Sequence, residues 1–261
     1  MNRIARCIDE SGAGKLLVPF FTGGFPSMRQ SMRFVEIAAG AGADMIEIGV
    51  PFSDPMADGP QIQYSSQKAL DNGVSLKSIL EGVATLRKRI NTPILLMGYY
   101  NPLLAFGEKR FMKQASQAGV DGLIVPDVPV DEAADFKRRA EEHDLSTVFL
   151  VAPTTSEDRI KVIDNNCSHF VYAVTVAGVT GARRGFGSDT FDYLSRLKVQ
   201  LRKPFVAGFG VSSPEAARKL VRFADGVVVG SALVKTIREA RNRAASEKDV
   251  ARFIDSLRRA L

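Results

Sequence analysis

Asp44-Met-Ile-Glu-Ile-Gly-Val50, running on through Pro51-Phe-Ser-Asp-Pro-Met-Ala-Asp58-Gly-Pro60, is the stretch from which the fold is read. Side chains alternate faces along a strand, so Ile46, Ile48 and Val50 share one side while Met45, Glu47 and Gly49 share the other. Both sides are largely apolar, the pattern of a parallel strand covered on both faces. Glu47 then points into the interior near the carboxyl end of its strand, ahead of a loop rich in Gly, Pro and Asp. Burial disfavours the ionised form of a carboxyl group and raises its pKa towards neutrality, where it can both give and take protons. For an isolated strand the simpler reading is a buried glutamate paired with Lys or Arg, or lining a small polar pocket. In a barrel of parallel strands the carboxyl end is where chemistry gathers, and Asp58 in the following loop then suggests paired proton transfer.

Working outward, apolar runs of the same kind recur. Strands are expected at Leu17 to Phe21, Asp44 to Val50, Ile94 to Gly98, Gly122 to Val125, Thr147 to Val151, Phe170 to Val174, Phe205 to Ala207 and Gly226 to Val229. Amphipathic segments lie between them, at Ser27 to Ala39, Leu76 to Ile90, Lys109 to Gln117, Asp131 to Glu142, Glu157 to Asn165, Thr190 to Gln200 and Pro214 to Phe223. Most follow a capping residue or a proline. Eight alternations with no GxGxxG fingerprint after the first strand favour a closed (β/α)8 TIM barrel over a doubly wound sheet. The expectation is α/β, one barrel domain over residues 1–261, with an extra amino-terminal helix near Ile4 to Ile8 closing the lower mouth.

Composition narrows the function classes. The chain of 261 residues is 45% hydrophobic and 25% charged, enough to bury one large core. No run of about 18 apolar residues suggests a membrane span, and Met1 to Glu10 lacks the apolar core of a signal segment, so a cytoplasmic enzyme is expected. Cys7 and Cys167 stand alone, and His143 and His169 make no ligand pair, so a structural zinc site is not expected. The net charge of +6 is spread over helices, most densely at Arg238, Arg241, Arg243, Arg252, Arg258 and Arg259. Nucleic-acid binding calls for a basic stripe with stacking aromatics, which the sequence does not offer. An anionic small substrate suits the charge equally well.

Two late strand ends run into glycines and then helix starts: Pro204-Phe-Val-Ala-Gly-Phe-Gly-Val-Ser-Ser-Pro-Glu215 and Val227-Val-Val-Gly-Ser-Ala-Leu-Val234. Ser212 and Glu215 have capping-box spacing, and Gly230-Ser231 sets free amides at the mouth of a short helix. Glycines let backbone approach an oxyanion, and the helix dipole favours its charge. Turns after the seventh and eighth strands are where many barrels hold phosphate. A third glycine-rich stretch, Ala177 to Ser188, is either a lid ordering over ligand, with Gly181 offering its amide to the same phosphate, or a solvated loop with Arg183 and Arg184 facing water.

These residues resemble one family, the tryptophan synthase alpha subunit. The matching phrases are Pro19-Phe-Phe-Thr-Gly-Gly-Phe-Pro26, Glu47 through Gln63, Met97-Gly-Tyr-Tyr-Asn-Pro102, Val125-Pro-Asp-Val-Pro129, Gly178-Val-Thr-Gly181, Gly208-Phe-Gly210 and Gly230-Ser231. They run from the first strand to the last; the acidic phrase is specific, whereas the glycine phrases are shared by other phosphate-binding barrels. The resemblance implies retro-aldol cleavage of indole-3-glycerol phosphate to indole and glyceraldehyde 3-phosphate, late in tryptophan biosynthesis and without cofactor. It implies Glu47 as acid/base, Asp58 as acceptor of the indole N–H and Tyr172 beside the catalytic glutamate. Gly181, Gly210, Gly230 and Ser231 would hold phosphate, while Phe20, Met97, Tyr99, Ile124, Leu150 and Phe209 would wall the indole. For the aliphatic residues ordinary barrel packing is the alternative; Phe209, an aromatic between two glycines at a strand end, has little sheet to pack on and is expected to face ligand. Gly23 and Met56 depart from the more usual larger residue and leucine.

The family also implies a pyridoxal-phosphate-dependent beta subunit, in an alpha2beta2 heterotetramer, that receives indole through a tunnel. The loops near Asp54 to Pro60 and Asn101 to Phe106 are the expected docking surface. Two other functions share parts of the pattern. A phosphosugar isomerase or epimerase would use the same cradle and one carboxylate but not Asp58 beside an aromatic-walled pocket, and a non-catalytic ligand-binding subunit would not need both carboxylates.

Overall fold

A computed structural model describes residues 2–12, 14–175, 186–208 and 210–261. Its strands are β1 Leu16–Thr22, β2 Ile46–Gly49, β3 Ile94–Met97, β4 Gly122–Ile124, β5 Ser146–Val148, β6 Leu150–Val151, β7 Val171–Val174, β8 Phe205–Gly208 and β9 Gly226–Val229. All pair in parallel, in the order β5-β4-β3-β2-β1-β9-β8-β7-β6. The two ends of that order, β5 and β6, are consecutive in the chain and are parted by Phe149 alone. β5 pairs with β4 and β6 with β7, so one segment closes the sheet into a barrel. Phe149 keeps the seam bonded: its carbonyl accepts from Tyr172 N at 3.2 Å and its N–H donates to Cys167 Sγ at 3.2 Å. The strand expected over Thr147 to Val151 is thus present as two short pieces, each serving one neighbour.

The helices are α1 Arg3–Ser11, α2 Met28–Gly40, α3 Pro60–Asp71, α4 Leu76–Leu86, α5 Tyr100–Phe106, α6 Glu108–Ala118, α7 Ala134–Glu141, α8 Glu157–Asn166, α9 Ser188–Gln200, α10 Pro214–Leu220, α11 Ser231–Glu239 and α12 Arg243–Arg258. Local chemistry sets their starts. Ser27 caps α2 by accepting from Gln30 N, and Ser75 with Ser78 forms a capping box at α4. At α10 the cap is Ser213, which accepts from Ala216 N at 3.2 Å. The box expected from Ser212 is one residue out of register, and Ser212 is left facing a cavity. Asp131 to Glu142 divides into a 3-10 turn at Val130–Glu132 followed by α7.

The amino-terminal helix takes the expected place beneath the barrel. Ile4 is fully buried, and the Asn2 amide donates to the carbonyls of Asp121 and Asp144 at 3.1 and 3.0 Å. Aspartates secure the lower rim. Asp44, Asp121 and Asp225 accept the N–H groups of Leu17, Ile94 and Phe205 at 2.7, 2.8 and 3.0 Å. Asp44 also holds Arg258 at 2.7 Å, so it ends the preceding loop, and β2 begins two residues later than the alternation suggests. The basic carboxyl end is helix α12, whose buried face carries Ser246, Val250, Ile254 and Leu257. Its arginines pair within the fold, Arg243 with Glu247 at 3.0 Å and Arg259 with Asp255 at 2.7 Å.

Candidate active site

Register places the first acid. Phe20, Glu47 and Leu95 are aligned across β1, β2 and β3, so Glu47 stands on the inner face of the barrel with no solvent exposure. Neither carboxyl oxygen has a hydrogen-bond partner among the described residues. Burial therefore pushes its pKa up to about 8 and leaves it protonated at neutral pH.

Asp58 is held from two sides just before α3. Gln63 Nε2 donates to its backbone carbonyl at 2.8 Å. Its carboxyl group is bonded by the Tyr99 hydroxyl, which also accepts from Ala57 N at 2.8 Å. Phe52 packs on the Tyr99 ring with centroids 5.1 Å apart. Burial raises the Asp58 pKa to about 6, the bond from Tyr99 opposing the rise. At neutral pH one carboxyl is thus acid and the other largely carboxylate.

Tyr172 aligns with Leu150 and Val206 on the inner face and is almost fully buried. Burial, then the charges of Glu47 and Asp58, hold its hydroxyl well above the usual range, so it stays protonated. Two glycines make room for this floor. A Cβ at Gly208 would sit 2.3 Å from the Tyr172 hydroxyl oxygen, and one at Gly49 would sit 2.4 Å from Phe20 Cζ.

Glu47, Asp58 and Tyr172 open onto a cavity of about 490 Å³ at the carboxyl ends of the strands. Phe20 and Met97 form part of its wall, Gly210, Gly230 and Ser231 line it too, and a Cβ at Gly230 would sit 3.4 Å from Phe20. Gly230 is the N-cap of α11 and no side chain caps that helix, so its leading amides are left open beside the cavity that Gly230 and Ser231 line, an arrangement suited to an anion. A larger hollow of about 760 Å³ lies at the opposite rim, between α1 and the strand starts. Its buried acid, Asp121, is already spent on Arg3 at 3.0 Å and Arg87 at 2.5 Å, so it holds structure rather than chemistry. No group of three His, Cys, Asp or Glu side chains placed to hold a metal occurs among the described residues.

Comparison with known proteins gives the family. The family model described as "Tryptophan synthase alpha chain" matches residues 7–260. The chain belongs to the tryptophan synthase alpha chain family. The Geobacter sulfurreducens tryptophan synthase alpha chain is 45% identical, with 100% of this chain and 99% of that one covered. The crystal structure of tryptophan synthase subunit alpha from Legionella pneumophila superposes with a TM-score of 0.91 at 34% identity, covering 100% and 98% of the two chains. A tryptophan synthase a2b2 complex from Pyrococcus furiosus gives a TM-score of 0.86 at 42% identity, over 93% of this chain and 97% of that one.

Within the tryptophan synthase alpha fold, not every residue expected at the site reaches the cavity. Tyr99, Ile124 and Leu150, expected in the indole wall, are not among its lining residues. Tyr99 is turned towards Asp58 and Ala57 as a brace. Ile124 is fully buried, aligned with Met97 and Val148, and Leu150 borders a separate hollow of about 300 Å³ next to Pro126 and Arg159. Gly181, Phe209 and the lid residues Ala177 to Gly185 lie outside the described residues. Sequence reading did not single out Gln61, Lys235 or Thr236 as cavity-lining residues, nor Gly49 and Gly208 as the clearances beneath it. Gln61 lay in plain view inside the acidic phrase, and Lys235 is one helical turn beyond Ser231.

Proposed function

We propose that Glu47 and Asp58 carry out, in this cavity, the cleavage of indole-3-glycerol phosphate that is the activity of the tryptophan synthase alpha chain family. The protonated Glu47 gives its proton to C3 of the indole ring, and Asp58, as carboxylate, accepts the ring N–H and stabilises the positive charge that develops. Glu47, now ionised, takes the proton from the hydroxyl on the adjacent chain carbon. As that C–O bond becomes a carbonyl, the carbon–carbon bond breaks and its electron pair returns to the ring. Indole leaves with the added proton on C3, glyceraldehyde 3-phosphate is released, and Glu47 is protonated as at the start. Tyr172 packs beside Glu47 and closes the floor of the cavity. The amides at Gly210, Gly230 and Ser231 hold the phosphate dianion, and Phe20 and Met97 border the ring.

The observation that carries this reading is that a fully buried, unpartnered Glu47 carboxyl and the Asp58 carboxyl braced by Tyr99 line one cavity with the open amino end of α11, burial raising the first to about 8 and the second only to about 6. Each positioned proton transfer is worth about 10² to 10⁴ in rate. The chain has no Trp, so the fluorescence of substrate and released indole, separated by chromatography, is read without a protein tryptophan background. Purified protein given indole-3-glycerol phosphate releases indole, and Glu47→Gln reduces the rate by at least about 100-fold while leaving substrate binding intact. A Glu47→Gln protein with unchanged turnover would remove this assignment.

The same reading extends to the setting and the partner. Residues 1–261 act as one barrel domain in the cytoplasm, a compartment consistent with the two free cysteines. It works in an alpha2beta2 complex with a pyridoxal-phosphate-dependent beta subunit. Supporting this, Met56 is 86% exposed and Leu104 48% exposed, one on each of the segments expected to dock. The second segment is the short helix α5 rather than a loop. Adding a beta subunit raises the cleavage rate, and Met56→Asp with Leu104→Asp reduces that gain without altering the rate of the chain alone.

A further inference from the structure

Three oxygen atoms in the wall of the cavity are fully buried and have no hydrogen-bond partner among the described residues: both carboxyl oxygens of Glu47 and Oε1 of Gln61. A buried carbonyl oxygen without a donor is costly, so such an atom is expected to gain its donor when the site fills. The substrate brings three donors, the ring N–H and two chain hydroxyls. On the reading proposed above, Asp58 takes the N–H and Glu47 the hydroxyl next to the breaking bond. The remaining hydroxyl is the one between that carbon and the phosphate, and Gln61 is the acceptor left over.

Its position agrees with that pairing. Gln61 is the second residue of α3, three residues after Asp58, and α3 packs against α11, whose first residue is Ser231. Arg238 of α11 lies over the ring of Tyr64 of α3 at 4.2 Å, fixing the two helices together. Gln61 therefore lines the same cavity as the two carboxyl groups and the Gly230-Ser231 amides. We propose that Gln61 reads the second hydroxyl of the substrate's three-carbon chain through its amide oxygen and so sets specificity for the glycerol phosphate chain. This rests on the roles given above to Glu47 and Asp58.

The test runs the reaction in reverse, condensing indole with glyceraldehyde 3-phosphate or with 3-oxopropyl phosphate, which lacks only that hydroxyl. Gln61→Met keeps the side-chain length and removes the acceptor. It lowers kcat/KM for glyceraldehyde 3-phosphate by about 10-fold, mostly through KM, and leaves the deoxy aldehyde unchanged. Gln61→Glu, which keeps an acceptor, retains the preference for the hydroxyl. Binding of 3-(indol-3-yl)propyl phosphate, which has ring and phosphate but no hydroxyl, reports that the Gln61→Met cavity is intact and stays unchanged. An equal loss with both aldehydes, or no loss with either, overturns the proposal. A wild-type protein that binds the propyl phosphate but never condenses indole would instead remove the roles of Glu47 and Asp58, and this inference with them.

Discussion

Replacing Glu47 by Gln should stabilise the protein, and more so the higher the pH. The side chain is fully buried with both oxygens unpaired among the described residues, and its pKa is raised by burial from 4.5 to about 8. Between those two values the folded chain retains a proton that the unfolded chain has released. Stability is therefore fully present below pH 4.5, falls as pH rises, and levels off above about 8, when Glu47 is ionised in both states. The difference of about 3.5 pH units corresponds to about 5 kcal/mol across that window. Gln has nearly the same shape and never ionises, so the variant lacks this loss. Urea melts of both proteins at pH 5 and pH 9 measure it directly. The advantage of Glu47→Gln should grow by several kcal/mol between the two, equivalent to roughly 10 °C in Tm for a chain of this size. Cleavage activity should be lost in the same variant, a gain in stability at the expense of function. Parallel pH dependence in the two proteins would refute the claim that burial holds Glu47 in its acid form.

The same two groups predict a bell-shaped profile for kcat/KM, with an acid limb near the Asp58 value of about 6 and an alkaline limb near the Glu47 value of about 8. Tyr99→Phe removes the hydroxyl that lowers the Asp58 pKa and leaves Ala57 N without its 2.8 Å acceptor. The acid limb should move to higher pH, with a stability loss of about 1–3 kcal/mol measured by urea melts. Gly208→Ala drives a methyl group to 2.3 Å from the Tyr172 hydroxyl oxygen. It should cut kcat far more than Tyr172→Phe, and combining the two should not restore it, because the ring atoms Cε1 and Cζ would still stand 2.4 and 2.5 Å from the new methyl group.

Much of the barrel was legible because its local and global preferences agree. A parallel strand buried on both faces needs a nearly continuous apolar run, and such runs stand out at β1, β2, β3 and β9. Boundaries were less legible where a side chain leaves the pattern to do another task. Asp44 reads as the first residue of a strand, yet it is spent on Leu17 N and Arg258. α3 escaped notice because its first turn, Pro60-Gln-Ile-Gln63, continues a loop-like phrase, although proline is well suited to open a helix. α5 was read as a docking loop for the same reason.

By itself, the sequence determined which residues could carry chemistry: Glu47 on the inner face of a strand near its carboxyl end, Asp58 eleven positions later, and glycines ahead of helix starts near the end of the chain. Period and spacing fix these features, since they depend only on neighbours along the chain. Tertiary structure decided the rest. It turned Tyr99 from an expected wall residue into the brace of Asp58, set Leu150 beside a different hollow, and brought Gln61 of α3 and Ser231 of α11 to one cavity. It also set the two carboxyl groups on opposite sides of neutrality, because desolvation depends on how many atoms from distant segments surround a group, a quantity that no local pattern of residues encodes.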